Sequence, residues 1–318
     1  MPRTIWGVLA VGALVALLSN GSFLQADTVA VATERTASVR ALSVATPLGG
    51  GPPHGEVETI SCRASLSCGR CHLLSVEFAQ AAAQDPSWVD PSSCKEAEVS
   101  DGNGAAILVD GITVMSDTLD SVRAAVLYLR DFAPKEYRIP GDFLSLYDLS
   151  FTLSRVPLIT RGTSAGLAFL LSAYSAISGV PLIPEVAVTG AIEADGRVGP
   201  VGSIVQKILA AERLGYSTVI IPAANGSDLA LPPDLPKRIR MILVDTADQA
   251  LFHALGQAGP RGAEYEAMYQ GYLAAVSLAE QGKRAEALEA FLRLANMFPE
   301  DYSLRVWIEY LRSTSPSG

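Results

Sequence analysis

Positive charge is scarce in this sequence and nowhere concentrated. Its 24 Lys and Arg face 33 Asp and Glu, for a net charge of -9, and no segment clusters the basic residues. A phosphate backbone finds no electrostatic footing on such a chain, so nucleic acid is not an expected partner. Histidine is scarcer still, with only His54, His72 and His253. His54 sits in a Gly/Pro turn, His72 among cysteines and His253 on a late helix, and none comes with the Asp partner that a Ser-His-Asp hydrolase needs. The phosphate-cradling pattern G-x-x-x-x-G-K-[ST] is missing, which removes the usual motif for ATP hydrolysis. The apolar run at the N-terminus, Ile5 to Leu18, stops short of the roughly 20 residues of a spanning helix.

That short run has a different grammar. Arg3 precedes it, polar "SNGS" follows it, and Ala26 supplies a small residue. The pattern predicts a secretory signal over residues 1–26, removed after Ala26, with an uncleaved membrane anchor as the alternative because Leu24 fits the cleavage site poorly. An exported location, periplasmic or extracellular, follows from either. Residues 27–37 read as a short leader.

Export gives the four cysteines a meaning. Cys62, Cys68, Cys71 and Cys94 fall in one short segment, and an even count outside the cytoplasm reads as disulfides, with three pairings open. "CGRCH" also matches the c-type haem attachment pattern through Cys68, Cys71 and His72. Two further cysteines close by and the lack of a haem-pocket sequence favour disulfides, and a Cys/His metal site ranks below both. No cofactor and no metal are therefore expected.

With 49% hydrophobic and 18% charged residues, the chain has ample material for one large core and a smaller unit. "SVRALSVATPLGGGPPHGEVETISCRA" reads as two strands joined by a Gly/Pro turn. Residues 62–104 lack any period and look like a cross-linked insertion. "AAILVDG" predicts a strand, "TLDSVRAAVLYLRDFA" a helix and "LSFTLSRVPLI" another strand. A helix from Ala165 stops at Gly179, Asp195-Gly196 predicts a tight hairpin, and a helix from Ser203 ends at Gly215. "YSTVIIP" and "RIRMILVD" are strands, followed by the helix "ADQALFHALGQ". This alternation predicts an α/β or α+β domain over 38–257, with mixed sheets and packed helices. Residues 262–318 then turn alanine-rich and charged, and resemble one tetratricopeptide-type helix pair. A single pair cannot bury its own face, so it must dock on the main domain or on a partner.

The chemistry centres on two residues. Ser164 stands in Gly162-Thr163-Ser164-Ala165-Gly166 at the mouth of an apolar helix. A serine there is ordinarily an N-cap. The flanking glycines also let backbone amides approach a ligand at the positive end of the helix, a place suited to an oxyanion. A nucleophilic serine needs a base. Lys207, in "VGSIVQKILAAERLG", is the only ionisable residue between Arg197 and Glu212, and its helical neighbours are Ser203, Ile204, Ala210 and Ala211. Either this lysine extends its head to water along an apolar stem, or burial lowers its pKa and makes it a proton acceptor.

The whole segment, with "GTSAG", the "VPL" turn, "VAVTG", "GRVGPVG", the lysine in "QKILAA" and "VIIPAAN", resembles the proteolytic domain of Lon proteases in order and spacing over about 70 residues. The resemblance extends more loosely over 38–257. It implies a serine endopeptidase in which Ser164 attacks the scissile carbonyl and Lys207 acts as general base. It also implies that Thr189 holds the lysine and that amides near Ser164, with Thr163 and Gly162 shaping the turn, receive the oxyanion. Family members usually carry an acidic residue where Arg161 stands and a glutamate where Ala191 stands, so the local charge balance departs from the pattern. The expected activity is ATP-independent cleavage of unfolded or exposed polypeptide segments, and family habit suggests a homo-oligomer. A catalytically silent Lon-like binding or assembly module, using the helical extension as its contact surface, is the alternative.

Overall fold

The N-terminal β-rich runs close into the long hairpin their Gly/Pro turn predicts: β1 (Glu34–Ala45) pairs antiparallel with β2 (His54–Leu66), from Glu34 opposite Ser65 to Ala45 opposite His54. The computed structural model describes residues 34–45, 52–66, 71–75, 107–109, 112–114, 116–139, 143, 147–153, 159–160, 162–229, 231 and 235–313. All of them belong to one unit, Thr33–Gly318. The expected signal over 1–26, Cys68, Cys94, Arg161 and the side chains of Cys71 and His72 lie outside the described residues.

Along the chain, β3 (Cys71–Ser75), β4 (Ile107–Val109) and β5 (Ile112–Val114) precede α1 (Ser116–Asp131). Next come β6 (Tyr147–Leu153), β7 (Ile159–Thr160) and α2 (Gly166–Ser178). Then follow β8 (Val186–Val188), β9 (Ala191–Ile192), β10 (Val198–Gly199), α3 (Ile204–Arg213), β11 (Thr218–Pro222), β12 (Arg240–Val244) and α4 (Ala247–Leu255). Seven strands form one mixed sheet in the order β12-β11-β8-β1-β2-β6-β3. β12, β11, β8 and β1 run parallel, β1, β2 and β6 antiparallel, and β3 parallel to β6.

Period-two alternation assigns the two faces of the sheet. Val39, Ala41, Val186, Val188, Ile220, Ile242 and Val244 share a core with α1, α2 and α4. Leu42, Ala187, Val219, Ile221 and Met241 share the opposite core with Ile204, Ile208 and Ala211 of α3. β8 and β11 are covered on both faces, which is why their sequences read as apolar runs rather than as alternation. α2 packs on β1 and β2 and is buried from Gly166 to Ile177, and each fully buried Leu or Ile there contributes about 1.5–3 kcal/mol. It ends at Gly179, whose φ of 76° is the left-handed cap the sequence predicts. The Asp195-Gly196 hairpin is present, with Val198 opposite Ile192.

Three expectations need correction. The insertion expected over 62–104 begins too early: Cys62 lies inside β2, fully buried in the core beside Ile60 and Ala64, and Cys71–Ser75 is a strand paired with β6, whereas residues 76–104 lie outside the described residues. A cysteine alternating with small and apolar residues is indistinguishable from a core strand position, and the cysteine count drew the boundary too early. The sheet likewise starts at Glu34 rather than Ser38. "LSFTLSRVPLI" is two strands in different sheets, since β6 pairs with β2 whereas β7 joins β5 in the three-stranded β4-β5-β7 sheet. Pro157, which cannot donate to a ladder, stands in the interval between them.

The C-terminal region contains three helices, α5 (Gly262–Glu280), α6 (Arg284–Met297) and α7 (Tyr302–Ser313). α5 and α6 pack together across a turn at Gly282, and α7 packs on α6 and returns to β12. They dock on the main sheet through its edge strand. Leu243 N–H donates to the Glu300 carbonyl at 2.7 Å, Met241 N–H donates to Ser303 Oγ at 2.8 Å, and Asp301 bridges to Ile242. These contacts satisfy edge amides that would otherwise stay unpaired. Beneath them Arg240 donates to Asp301 Oδ2 at 2.7 Å, with side-chain exposures of 4% and 0%.

Candidate active site

The glycines of "GTSAG" have separate jobs. Gly162 has φ 104° and ψ 146°, a conformation open only to glycine without strain. Gly166 stands where a Cβ would come within 2.7 Å of Ile192 N, so its smallness lets α2 start against the backbone beyond β8. Between them, Thr163–Ala165 form a 3-10 turn that leads into α2.

Ser164 does not act as a cap. Neither the 3-10 turn nor α2 has a side-chain cap hydrogen bond, and the Ser164 hydroxyl is held by no partner among the described residues. Its carbonyl, by contrast, is pinned twice. It accepts from Gly190 N–H at 2.9 Å and from the Thr189 hydroxyl at 3.0 Å. Leu167 N–H donates to the Gly190 carbonyl at 3.0 Å, which ties the helix start to the same turn. The amides of Thr163 and Ser164, which open the 3-10 turn ahead of α2, have no acceptor within that turn and sit at the positive end of α2.

Lys207 approaches from the opposite face of the sheet. It lies on the inward stripe of α3 with Ile204, Ile208 and Ala211, and is 3% exposed. Its ammonium therefore does not reach water along its stem. Nζ donates to Thr189 Oγ1 at 3.1 Å. Thr189 is itself fully buried, and its amide continues the sheet ladder by donating to the Ile220 carbonyl at 3.0 Å. The Thr189 proton is committed to the Ser164 carbonyl, so the lysine must be the donor in the Lys207–Thr189 bond. A neutral Lys207 then keeps its lone pair unused.

Burial favours that neutral form. Desolvation lowers the Lys207 pKa from 10.5 to about 8, against the opposing pull of the Glu58 carboxylate. The same shift carries a stability consequence. Between pH 8 and 10.5 the unfolded lysine binds a proton that the folded one has lost, so folding stability rises with pH across that window; below about 8 the cost of the buried charge is paid in full. Lys207→Met should therefore stabilise the protein at pH 7 by about 3–4 kcal/mol, at roughly 1.4 kcal/mol per pKa unit, and raise its melting temperature accordingly. That gain should fade as pH climbs from 8 to 10.5, which melting curves taken across the range would check.

Ser164, Lys207, Thr189, Thr163 and Gly162, separated by up to 45 positions in sequence, thus converge at the C-terminal end of β8. Thr163 is exposed at the mouth and Ser164 half-buried behind it. Ala191, in β9, brings no carboxylate. His253 lies elsewhere: it is buried, its Nε2 is 3.0 Å from Glu300 Oε1, and burial pushes its pKa down. His54 pairs with Glu56 on the surface. Among the described residues no three His, Cys, Asp or Glu side chains gather as a metal site. Two contributors escaped the sequence reading. One is Glu58, remote in sequence from Lys207. The other is Asp117, whose Oδ2 accepts Gly162 N–H at 2.8 Å; at the start of α1 it reads only as a favourable charge for a helix dipole.

Comparison with known proteins gives the same neighbourhood. A family model described as the Lon protease (S16) C-terminal proteolytic domain matches residues 94–257. The chain is similar to the Lon protease of Geobacter metallireducens, 35% identical over 162 residues, which is 50% of this chain and 19% of that protein. It is 38% identical over 142 residues to the Lon protease of Heliobacterium modesticaldum, covering 44% of this chain and 17% of that protein. The Lon protease of Bacillus thuringiensis is 34% identical over 162 residues, 50% of this chain and 20% of that protein. The chain spans about a fifth of the length of these curated relatives.

Proposed function

Because this chain belongs to the Lon protease (S16) C-terminal proteolytic domain family, we propose that it is a serine peptidase that cuts polypeptides with Ser164 and Lys207. The observation that carries this reading is the buried Lys207 amine, held on Thr189, whose hydroxyl in turn holds the Ser164 backbone. Ser164 Oγ can change between staggered χ1 positions, and catalytic hydrogen bonds commonly close only around bound substrate.

In the proposed reaction Lys207 Nζ takes the Ser164 hydroxyl proton as Oγ attacks the scissile carbonyl carbon. Negative charge moves to the carbonyl oxygen, where the amides of Thr163 and Ser164, at the positive end of α2, stabilise it. The C–N bond then breaks, and Lys207 returns its proton to the leaving amine. Water, deprotonated by Lys207, hydrolyses the acyl-serine and restores both residues. The proposed substrates are polypeptides in unfolded or exposed form. ATP-independent cleavage is part of this proposal, and Arg3 with the apolar run after it supports an exported setting.

The test is hydrolysis of a casein-type unfolded substrate without ATP, measured from pH 6 to 10. Only neutral Lys207 accepts a proton, so kcat/KM should rise with an apparent pKa of about 8 and level off above it. At pH 7 about one-tenth of the plateau rate is expected. Hydrolysis with no acid limb in this region would remove Lys207 as the base. No hydrolysis of any polypeptide would leave the chain as a binding module.

A further inference from the structure

The turn that presents Ser164 is held from two sides, and only one of them belongs to the dyad and its threonine. On the far side, Ser164's carbonyl is fastened to Thr189 and Gly190. On the near side, Gly162 N–H is fastened to Asp117 Oδ2 at 2.8 Å across 45 residues of sequence. The other oxygen, Asp117 Oδ1, accepts Thr118 N–H at 2.8 Å, and the Asp117 carbonyl accepts from Ser121 Oγ at 2.9 Å. Both carboxylate oxygens thus have directed partners, and the group is rigidly set at the first turn of α1.

We infer that Asp117 is a positioning residue for the nucleophile, anchoring the Gly162 amide so that the backbone between residues 162 and 164 can take only one course. This rests on the peptidase reading of Ser164. Gly162 is the one residue of the turn with a left-handed φ, and glycine at such a place is as free to leave that conformation as to adopt it. The anchor removes this freedom. It also decides which amides face the substrate: Gly162 N–H is spent on Asp117 and the 3-10 turn uses that of Ala165, which leaves those of Thr163 and Ser164 as the donors available to an oxyanion. The position where the family usually has an acidic residue is Arg161, so the carboxylate that steadies this turn comes from α1 rather than from the motif itself.

The effect should be on geometry and not on proton transfer, and the test separates the two. A displacement of about 1 Å at a reacting group costs on the order of 100-fold, so Asp117→Ala should lower kcat by roughly 10- to 100-fold with KM changed less than about 3-fold. Asp117→Asn can present an amide oxygen to Gly162 and should recover most of the loss. The acid limb of the pH profile should stay in place in both variants, because the base is untouched. Asp117→Ser, which keeps a polar helix start but is too short to reach Gly162, should behave like alanine and covers the case in which alanine does not fold.

A second readout needs no activity. Hydrogen exchange at the Gly162 amide, followed by NMR, should be slow in the wild type and in Asp117→Asn, and at least about tenfold faster in the alanine and serine variants. Unchanged exchange in the latter two would overturn the anchor. So would an asparagine variant as impaired as alanine with a displaced acid limb, since that outcome assigns Asp117 an electrostatic role. If the wild type hydrolyses nothing while Gly162 exchange behaves as expected, it is the peptidase reading that fails and not the anchor.

Discussion

Ser164→Ala and Lys207→Ala should each reduce hydrolysis of an unfolded substrate by at least about 10⁴-fold, and the double variant should be no worse than either single one. In the proposed mechanism nucleophile and base act in one step, and residues that act as a unit lose nearly all of their contribution when the first is removed. Removing the hydroxyl deletes the attacking atom. Removing the amine leaves a hydroxyl whose proton has no acceptor, because the Thr189 hydroxyl that neighbours it already donates to the Ser164 carbonyl and is far too weak a base. The two losses should differ in their side effects. Ser164→Ala deletes an atom with no hydrogen-bond partner among the described residues and should leave the melting temperature nearly unchanged. Lys207→Met should abolish activity while stabilising the protein at neutral pH, as worked out from its burial. Steady-state rates beside melting curves check both, and equal rates in the wild type and all variants would dismiss the pair.

Asp301→Ala should be the most damaging substitution away from the site, destabilising the protein by about 3–5 kcal/mol. Asp301 is fully buried and 2.7 Å from the Arg240 guanidinium. That guanidinium also lies 5.8 Å from the ring centroid of Tyr269 and 5.2 Å from that of Tyr272, both on α5. Cutting the carboxylate leaves Arg240 charged inside the junction between β12 and the helical extension. The penalty is mostly that stranded charge, so Arg240→Met/Asp301→Leu, which removes both partners, should be less destabilised than Asp301→Ala alone. Loss of the junction also frees the β12 edge, where residues 300–303 now pair, and an exposed edge strand invites self-association. Chemical denaturation with light scattering would show both effects; an Asp301→Ala protein as stable and as monodisperse as the wild type would contradict this account of the junction.

The legibility of the site varied from residue to residue for definite reasons. Lys207 was conspicuous because a lone ionisable group on an apolar stripe is a local pattern, readable within two helical turns. Ser164 was visible through its glycines, one needed for a left-handed φ and the other for close approach to Ile192. Asp117 was not visible, since its partner is 45 residues away and an acidic residue at a helix start has an ordinary explanation. The insertion boundary failed at Cys62 because a buried cysteine packs like any small apolar residue. Arg240 and Asp301 could not be paired in advance; nothing local marks a charge that will be buried by a helix arriving 61 positions later.

By itself the sequence determined most of the periodicities: that α2 would be an apolar helix and β11 a strand, and that one serine and one lysine stood in chemically unusual settings. These properties depend on residues within a few positions of one another. Only the tertiary structure decided that the helix carrying the serine and the helix carrying the lysine lie on opposite faces of one sheet and meet at Thr189 where β8 ends. It alone decided that α1 lends a carboxylate to the turn, and that the last three helices close the sheet's edge. Convergence of this kind depends on how strands are ordered across a sheet, and strand order is set by the joint burial of all the faces, which no local stretch contains.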